Sequence, residues 1–186
     1  SFWEEEVSVG RYLVSRSSLF LNQWLISRVG EEVGPQQTFT RFKTHIEHDG
    51  NHAMTPLLPI IKQQADLYES WTAAANDSNR QLSVVEMAVY RMKANETEVL
   101  KPLLIWLHTP ERNLPTDVID RVISTAESWL MRRLILRLSI SDLARVVADI
   151  IRVFSPTPAS ELADGIAGYL SRLDAADQYV TDSLRR

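Results

Sequence analysis

The residues best placed by type and spacing to do chemistry are three histidines and a group of arginines. His45, His48 and His52 stand at i, i+3 and i+7, with Glu47 and Asp49 between them. On one continuous helix all three imidazoles would share a face, and that arrangement can bind zinc. Gly50 and Asn51 are expected to end the helix before His52. That removes the third ligand, leaves His45 and His48 as weak metal candidates, and favours a solvated helix end. His108 stands alone beside an apolar run and reads as a cap or loop contact. The arginines carry more weight. Arg132, Arg133 and Arg137 gather around one expected helix end, and Arg145 and Arg152 share the polar face of the next helix. A planar guanidinium grips carboxylate and phosphate alike. The cluster can therefore be structural, interdomain or phosphate-contacting. No glycine-rich phosphate loop, Gly-x-Ser-x-Gly elbow or His-Glu-x-x-His motif is present. No spacing by itself pairs two carboxylates for acid–base work, so no catalytic residue and no bound cofactor is assigned.

Arg133 is the odd member. Val118, Ile119, Val122, Ile123, Ala126, Trp129 and Leu130 fall within an arc of about 140° on a helix from Thr116 to about Leu136. Arg133 projects near the middle of that stripe and Arg132 just off its edge. A guanidinium aimed at a core is costly unless it is paired and hydrogen-bonded. Arg133 should therefore meet a carboxylate, carbonyls or an anion from another segment.

The elements around this helix read as an all-α, irregular multi-helix bundle of about seven to nine helices. Phe2 to Val7 reads as a helical turn, and Arg11 to Val29 as a long amphipathic helix closed by Gly30. Helices follow at Thr38 to His48 and at Thr55 to about Ala74. Another runs from Arg80 to Lys93, with Ser78 or Asn79 as N-cap. Val99 to Leu107 is apolar nearly all round, as a buried helix would be. After the Thr116 helix, one with Ser141 as N-cap carries Leu143, Val146, Val147, Ile150, Ile151 and Phe154 at helical spacing. Residues 1–154 form the expected helical domain. Residues 155–186 form a proline-bounded hinge and an appendage of two short helices. The tryptophans Trp24, Trp71, Trp106 and Trp129 all fall on expected core faces.

Composition limits the function classes. Of 186 residues, 20 are Lys or Arg and 24 are Asp or Glu, for a net charge of −4. Nonspecific nucleic-acid binders are normally basic, which argues against that role for the whole chain. Cysteine is absent, so a disulfide framework and thiolate metal sites are excluded. No signal peptide and no apolar run near eighteen residues is seen, and a cytoplasmic location without membrane partners is expected. The start at Ser1-Phe2-Trp3 suggests a piece of something longer, with Phe2 and Trp3 touching the missing part.

Three stretches carry a family resemblance. Glu127-Ser128-Trp129-Leu130-Met131-Arg132-Arg133-Leu134, with Leu138-Ser139 and Asp142-Leu143-Ala144-Arg145-Val146, resembles the helical C-terminal half of the GmrS-type domain (domain of unknown function 262). That family belongs to GmrSD-like, modification-dependent restriction systems. Phe2-Trp3-Glu4-Glu5-Glu6-Val7 through Arg11-Tyr12-Leu13, and Phe20-Leu21-Asn22-Gln23-Trp24-Leu25, resemble the segment after the family's catalytic half. Thr97 to Leu107 resembles its apolar Pro-Leu-Leu helix. The resemblance implies a helical support for an N-terminal, ParB-like half that hydrolyses a nucleoside triphosphate with a divalent metal through an Asp-Gly-Gln-Gln-Arg motif. It implies an HNH-type nuclease domain or subunit as partner, acting on modified or foreign DNA. Neither that motif nor a His-Asn-His set occurs here, so none of the family's catalytic residues maps onto this chain. The arginine cluster then has two destinations, DNA phosphate or the adjoining catalytic half. Two other readings stay open from the residues alone: a stand-alone protein-interaction module, and the ligand-binding domain of a transcription regulator.

Overall fold

The computed structural model describes residues 1–48, 54–77 and 79–184, and the side chains of all of these except residues 48 and 178–184. The described residues form an all-α, multi-helix fold with eight α-helices and one short two-stranded ribbon.

The N-terminus departs from the expected helices. A 3-10 turn at Phe2–Glu4 leads into strands β1 (Glu6–Val9) and β2 (Tyr12–Ser15). They pair antiparallel with Val7 opposite Val14 and Val9 opposite Tyr12. The physical reason is a period of two. Val7, Val9 and Val14 sit half-buried on one face, while Glu6, Ser8 and Leu13 face outward. Gly10 takes φ +59° as the first residue of the two-residue turn, the position where a type II′ hairpin needs glycine. Phe2 and Trp3 pack on this chain's own core: the Trp3 ring lies 5.5 Å from Phe20 and 6.1 Å from Tyr68.

Helix α1 (Arg16–Val29) begins where Ser15 accepts a hydrogen bond from the Ser18 amide at 3.2 Å. It ends at Gly30, left-handed at φ +63°, as expected. A Cβ there would lie 3.0 Å from the Arg152 backbone, so α1 ends hard against the later helix that carries Arg152. Helices α2 (Thr38–His48) and α3 (Met54–Asn76) follow, α3 with Pro59 near its start. Asp49, Gly50 and Asn51, expected to end α2, lie outside the described residues, as do His52 and Ser78. Helix α4 (Val84–Ala94) starts later than expected because Ser83 and Glu86 form a reciprocal capping box.

Helix α5 (Lys101–Leu107) has every residue buried. It packs against α1, against α6 (Thr116–Ile135) and against α7 (Leu143–Phe154), which is where a helix apolar all round must sit. Asp142, not Ser141, precedes α7, and it makes no side-chain capping bond. Ser141 instead bonds the Ser139 hydroxyl. The two expected C-terminal helices are one, α8 (Ala159–Leu184). Its Leu162, Ala163, Ile166 and Leu170 join the same buried cluster as α5, α6 and α7. The two glycines do not interrupt it. Gly165 faces Phe154, where a Cβ would lie 2.8 Å from the ring edge, so its absent side chain is what lets α8 approach α7.

Candidate functional site

Arg133 lies in the last turn of α6, on the buried face that its spacing dictates, and is 4% exposed. Its Nη1 pairs with Asp177 of α8 and lies 3.9 Å from Asp174. Its Nη2 donates to the Ser139 carbonyl at 3.1 Å, and its guanidinium stacks over the Trp129 ring at 4.9 Å. Trp129 Nε1 donates to Asp174 at 2.7 Å. One arginine and one indole on α6 thus reach two aspartates a turn apart on α8. The expected carboxylate and carbonyl are both there, and the node joins α6, the following loop and α8.

The other candidates spread around this node. Arg132 bonds Ser128 at 3.0 Å, with Asp174 at 3.7 Å. Arg145 reaches Asp142 at 3.4 Å and Asp149 at 3.8 Å. Arg152 shares Asp149. Arg137 is exposed and takes φ +52° just past the end of α6. The Leu138 amide donates to the Arg133 carbonyl at 3.0 Å and the Arg137 amide to the Leu134 carbonyl at 3.2 Å. That is a Schellman closure with arginine in the place glycine usually takes. Beside it stand three exposed aliphatic side chains, Ile135, Leu136 and Ile140. Chemically, aspartates balance most of the cluster's charge, and the surface left over is part cationic and part apolar.

The histidines are not brought together as a ligand set. His45 is buried on α2, edge-on to Trp24 with ring centres 6.4 Å apart. His48 ends α2, and its side chain and His52 are outside the described residues. Among the described residues no group of three His, Cys, Asp or Glu is placed to hold a metal ion. His108 accepts its cap role: Nδ1 donates to the Leu104 carbonyl at 2.8 Å, and its ring meets Trp71 edge-on at 4.8 Å. Burial lowers its pKa, so it sits as the neutral imidazole.

Sequence spacing missed several buried polar residues, among them Gln64, Lys101 and Gln23. Gln64 on α3 accepts from Trp24 Nε1 at 2.7 Å and donates to the Ile105 carbonyl at 2.9 Å and the His108 carbonyl at 3.3 Å. It thereby adds a second donor to the Ile105 carbonyl, which also accepts the His108 amide at 3.1 Å, and reaches the His108 carbonyl just past the end of α5. Lys101, 4% exposed, lies 3.3 Å from Glu98 and 4.4 Å from the Tyr68 ring. Gln23, also buried, donates to the same Glu98 at 3.0 Å. The sequence signal was weak: a lysine directly before Pro102 in an apolar run, and glutamines on the apolar faces of α1 and α3.

Two concave spaces flank Glu98. An open, mainly apolar cleft of about 460 Å³ lies between α1, the loop after it and α7. A second, more polar cavity of about 320 Å³ lies on the Lys101 side. No helix among the described residues is long and apolar enough to cross a membrane. Compared with family models, curated proteins and solved structures, the chain matches none.

Proposed function

We propose that this chain is a non-catalytic helical support in a GmrSD-like, nucleotide-dependent restriction or anti-phage defence protein. In this reading it positions a ParB-like catalytic half, and an HNH-type nuclease domain or subunit cuts the DNA. The observation that carries the reading is the turn from α6 to α7. Ile135, Leu136 and Ile140 are 74%, 66% and 53% exposed there, next to Arg132 and Arg137. Exposed aliphatics grouped together mark interaction surfaces, and arginine is enriched where proteins meet. The same turn lies within the stretch that most resembles the GmrS-type helical half. The reading assigns nucleotide and metal chemistry to the neighbouring domain and none to this chain.

The gene provides the first test. An Asp-Gly-Gln-Gln-Arg motif is expected in the sequence encoded ahead of Ser1, and a helix-turn-helix there would overturn the reading in favour of a regulator. The turn provides the second. In the full-length protein, Leu136→Asp with Ile140→Asp should lower nucleotide hydrolysis without changing the melting temperature of this chain. Unchanged hydrolysis would remove the turn as the docking surface. A stand-alone interaction module remains the second reading, favoured by the apolar cleft beside Glu98.

A further inference from the structure

The cavity on the Lys101 side has a charge pattern the proposed support role does not use. Its wall carries three cations, Arg16, Lys93 and Lys101, against two carboxylates, Glu5 and Glu98. Both carboxylates are already engaged. Glu5 pairs with Arg16 at 2.5 Å, and Glu98 serves Lys101 and Gln23. Lys93, on the rim, donates to the neutral amide oxygen of Asn76. Donor capacity is left over. Arg16 Nε is buried without a hydrogen-bond partner. The Lys101 ammonium has three N–H groups, with one carboxylate and one ring beside it. Lys101 is also close enough to Arg16 that the two positive charges disfavour each other, adding to a pKa lowered first by burial and opposed by Glu98. An anion between them would relieve that repulsion and fill the unmet donors.

We propose that this cavity binds a small organic oxyanion, its carboxylate or phosphoryl head held between Arg16 and Lys101 and its apolar body lying against Phe2 and Val89. The volume suits a small molecule. Charge-assisted hydrogen bonds from a nearly dry ammonium and a guanidinium are the strong kind. The site is independent of the docking turn, which lies on other elements, so either assignment can fail without the other.

The test is a titration of the chain followed by amide chemical shifts, with benzoate, phenyl phosphate and the neutral benzyl alcohol as probes. At least one anion should shift the amides at the start of α1 and along α5 saturably below roughly 10 mM, the range of weak specific binding. Benzyl alcohol should not. The tighter of the two anions identifies the head group. Lys101→Met should weaken binding roughly tenfold or more, the worth of a hydrogen bond to a charged group. Lys93→Gln, on the exposed rim and harmless to folding, should weaken it roughly two- to fivefold. Equal shifts from benzyl alcohol, no saturable shift from either anion, or unchanged affinity in Lys93→Gln would each overturn the proposal.

Discussion

Arg133 and Asp177 differ in what removal of the partner would leave behind. The guanidinium is almost fully enclosed, whereas the Asp177 side chain is 45% exposed and water can rehydrate its carboxylate. Breaking a fully buried pair costs about 3–5 kcal/mol because a stranded charge remains. Here the stranded charge is half-solvated, but the contact with Trp129 and the bond to the Ser139 carbonyl go too. Arg133→Ala should therefore destabilise the chain by roughly 2–4 kcal/mol in denaturant unfolding. Asp177→Asn should cost clearly less, since it leaves the arginine its carbonyl, its ring and Asp174. Equal melting temperatures for Arg133→Ala and the parent would show that the node holds nothing together. Arg133 was legible in the sequence because a charge in the middle of an apolar stripe has only one tolerable explanation. Its partners were not, because Asp174 and Asp177 belong to a helix more than forty residues away, and no spacing rule links them. Lys101 was illegible for the opposite reason: it lies among apolar neighbours whose pattern reads the same whether one polar residue faces in or out. Gln64 shares the stripe of Leu57, Ile61, Tyr68 and Trp71, but an uncharged amide on a stripe does not demand a partner as a guanidinium does.

Helix positions were readable wherever a periodic apolar face was bounded by a recognisable cap, as in α1 between Ser15 and Gly30. They slipped where the cap used unexpected residues, as at the start of α4, which Ser83 and Glu86 cap in place of Ser78 or Asn79. Both α4 and α6 end in a left-handed residue that is not glycine, Glu96 at φ +50° and Arg137 at φ +52°. The hairpin is hidden because Glu4, Glu5 and Glu6 suit a helix start and Leu13 and Val14 continue the helical spacing of Phe20 and Leu21. Only the Gly10-Arg11 turn exposes the period of two, and Gly10 reads equally well as an interruption between two helical segments. The left-handed cap makes a measurable claim about α6. A side chain in that conformation costs roughly 1 kcal/mol relative to glycine. Arg137→Gly removes that cost and keeps both Schellman hydrogen bonds. It should raise stability by up to about 1 kcal/mol, reduced by the greater freedom of glycine in the unfolded chain. If the docking turn is correctly assigned, the same substitution weakens coupling to the catalytic half. A variant more stable yet less active would separate the two roles of Arg137. A loss of stability would instead mean that its side chain, not its backbone, holds the turn.

Across the whole molecule, charge is sorted so that few cations act together at the surface. Arg132, Arg133, Arg145 and Arg152 each have an aspartate within 4 Å, and the chain as a whole carries −4. Binding to duplex DNA gains its salt-dependent energy by releasing counterions, with a slope close to the number of phosphates neutralised. An arginine that already holds a carboxylate releases fewer ions, because its own counter-charge must first be displaced. Repulsion between an acidic body and the duplex works in the same direction, over a Debye length of about 8 Å at physiological salt. The chain by itself should therefore show no saturable binding to a fluorescent duplex near 0.15 M salt. At lower salt any binding should follow a slope equivalent to no more than about two phosphates, which Arg137 and one partly released neighbour could supply. A slope of five or more would mean that the aspartates let go together when DNA arrives. The arginine cluster would then be a phosphate-binding face, and the contact assigned here to a catalytic half would belong to the nucleic acid.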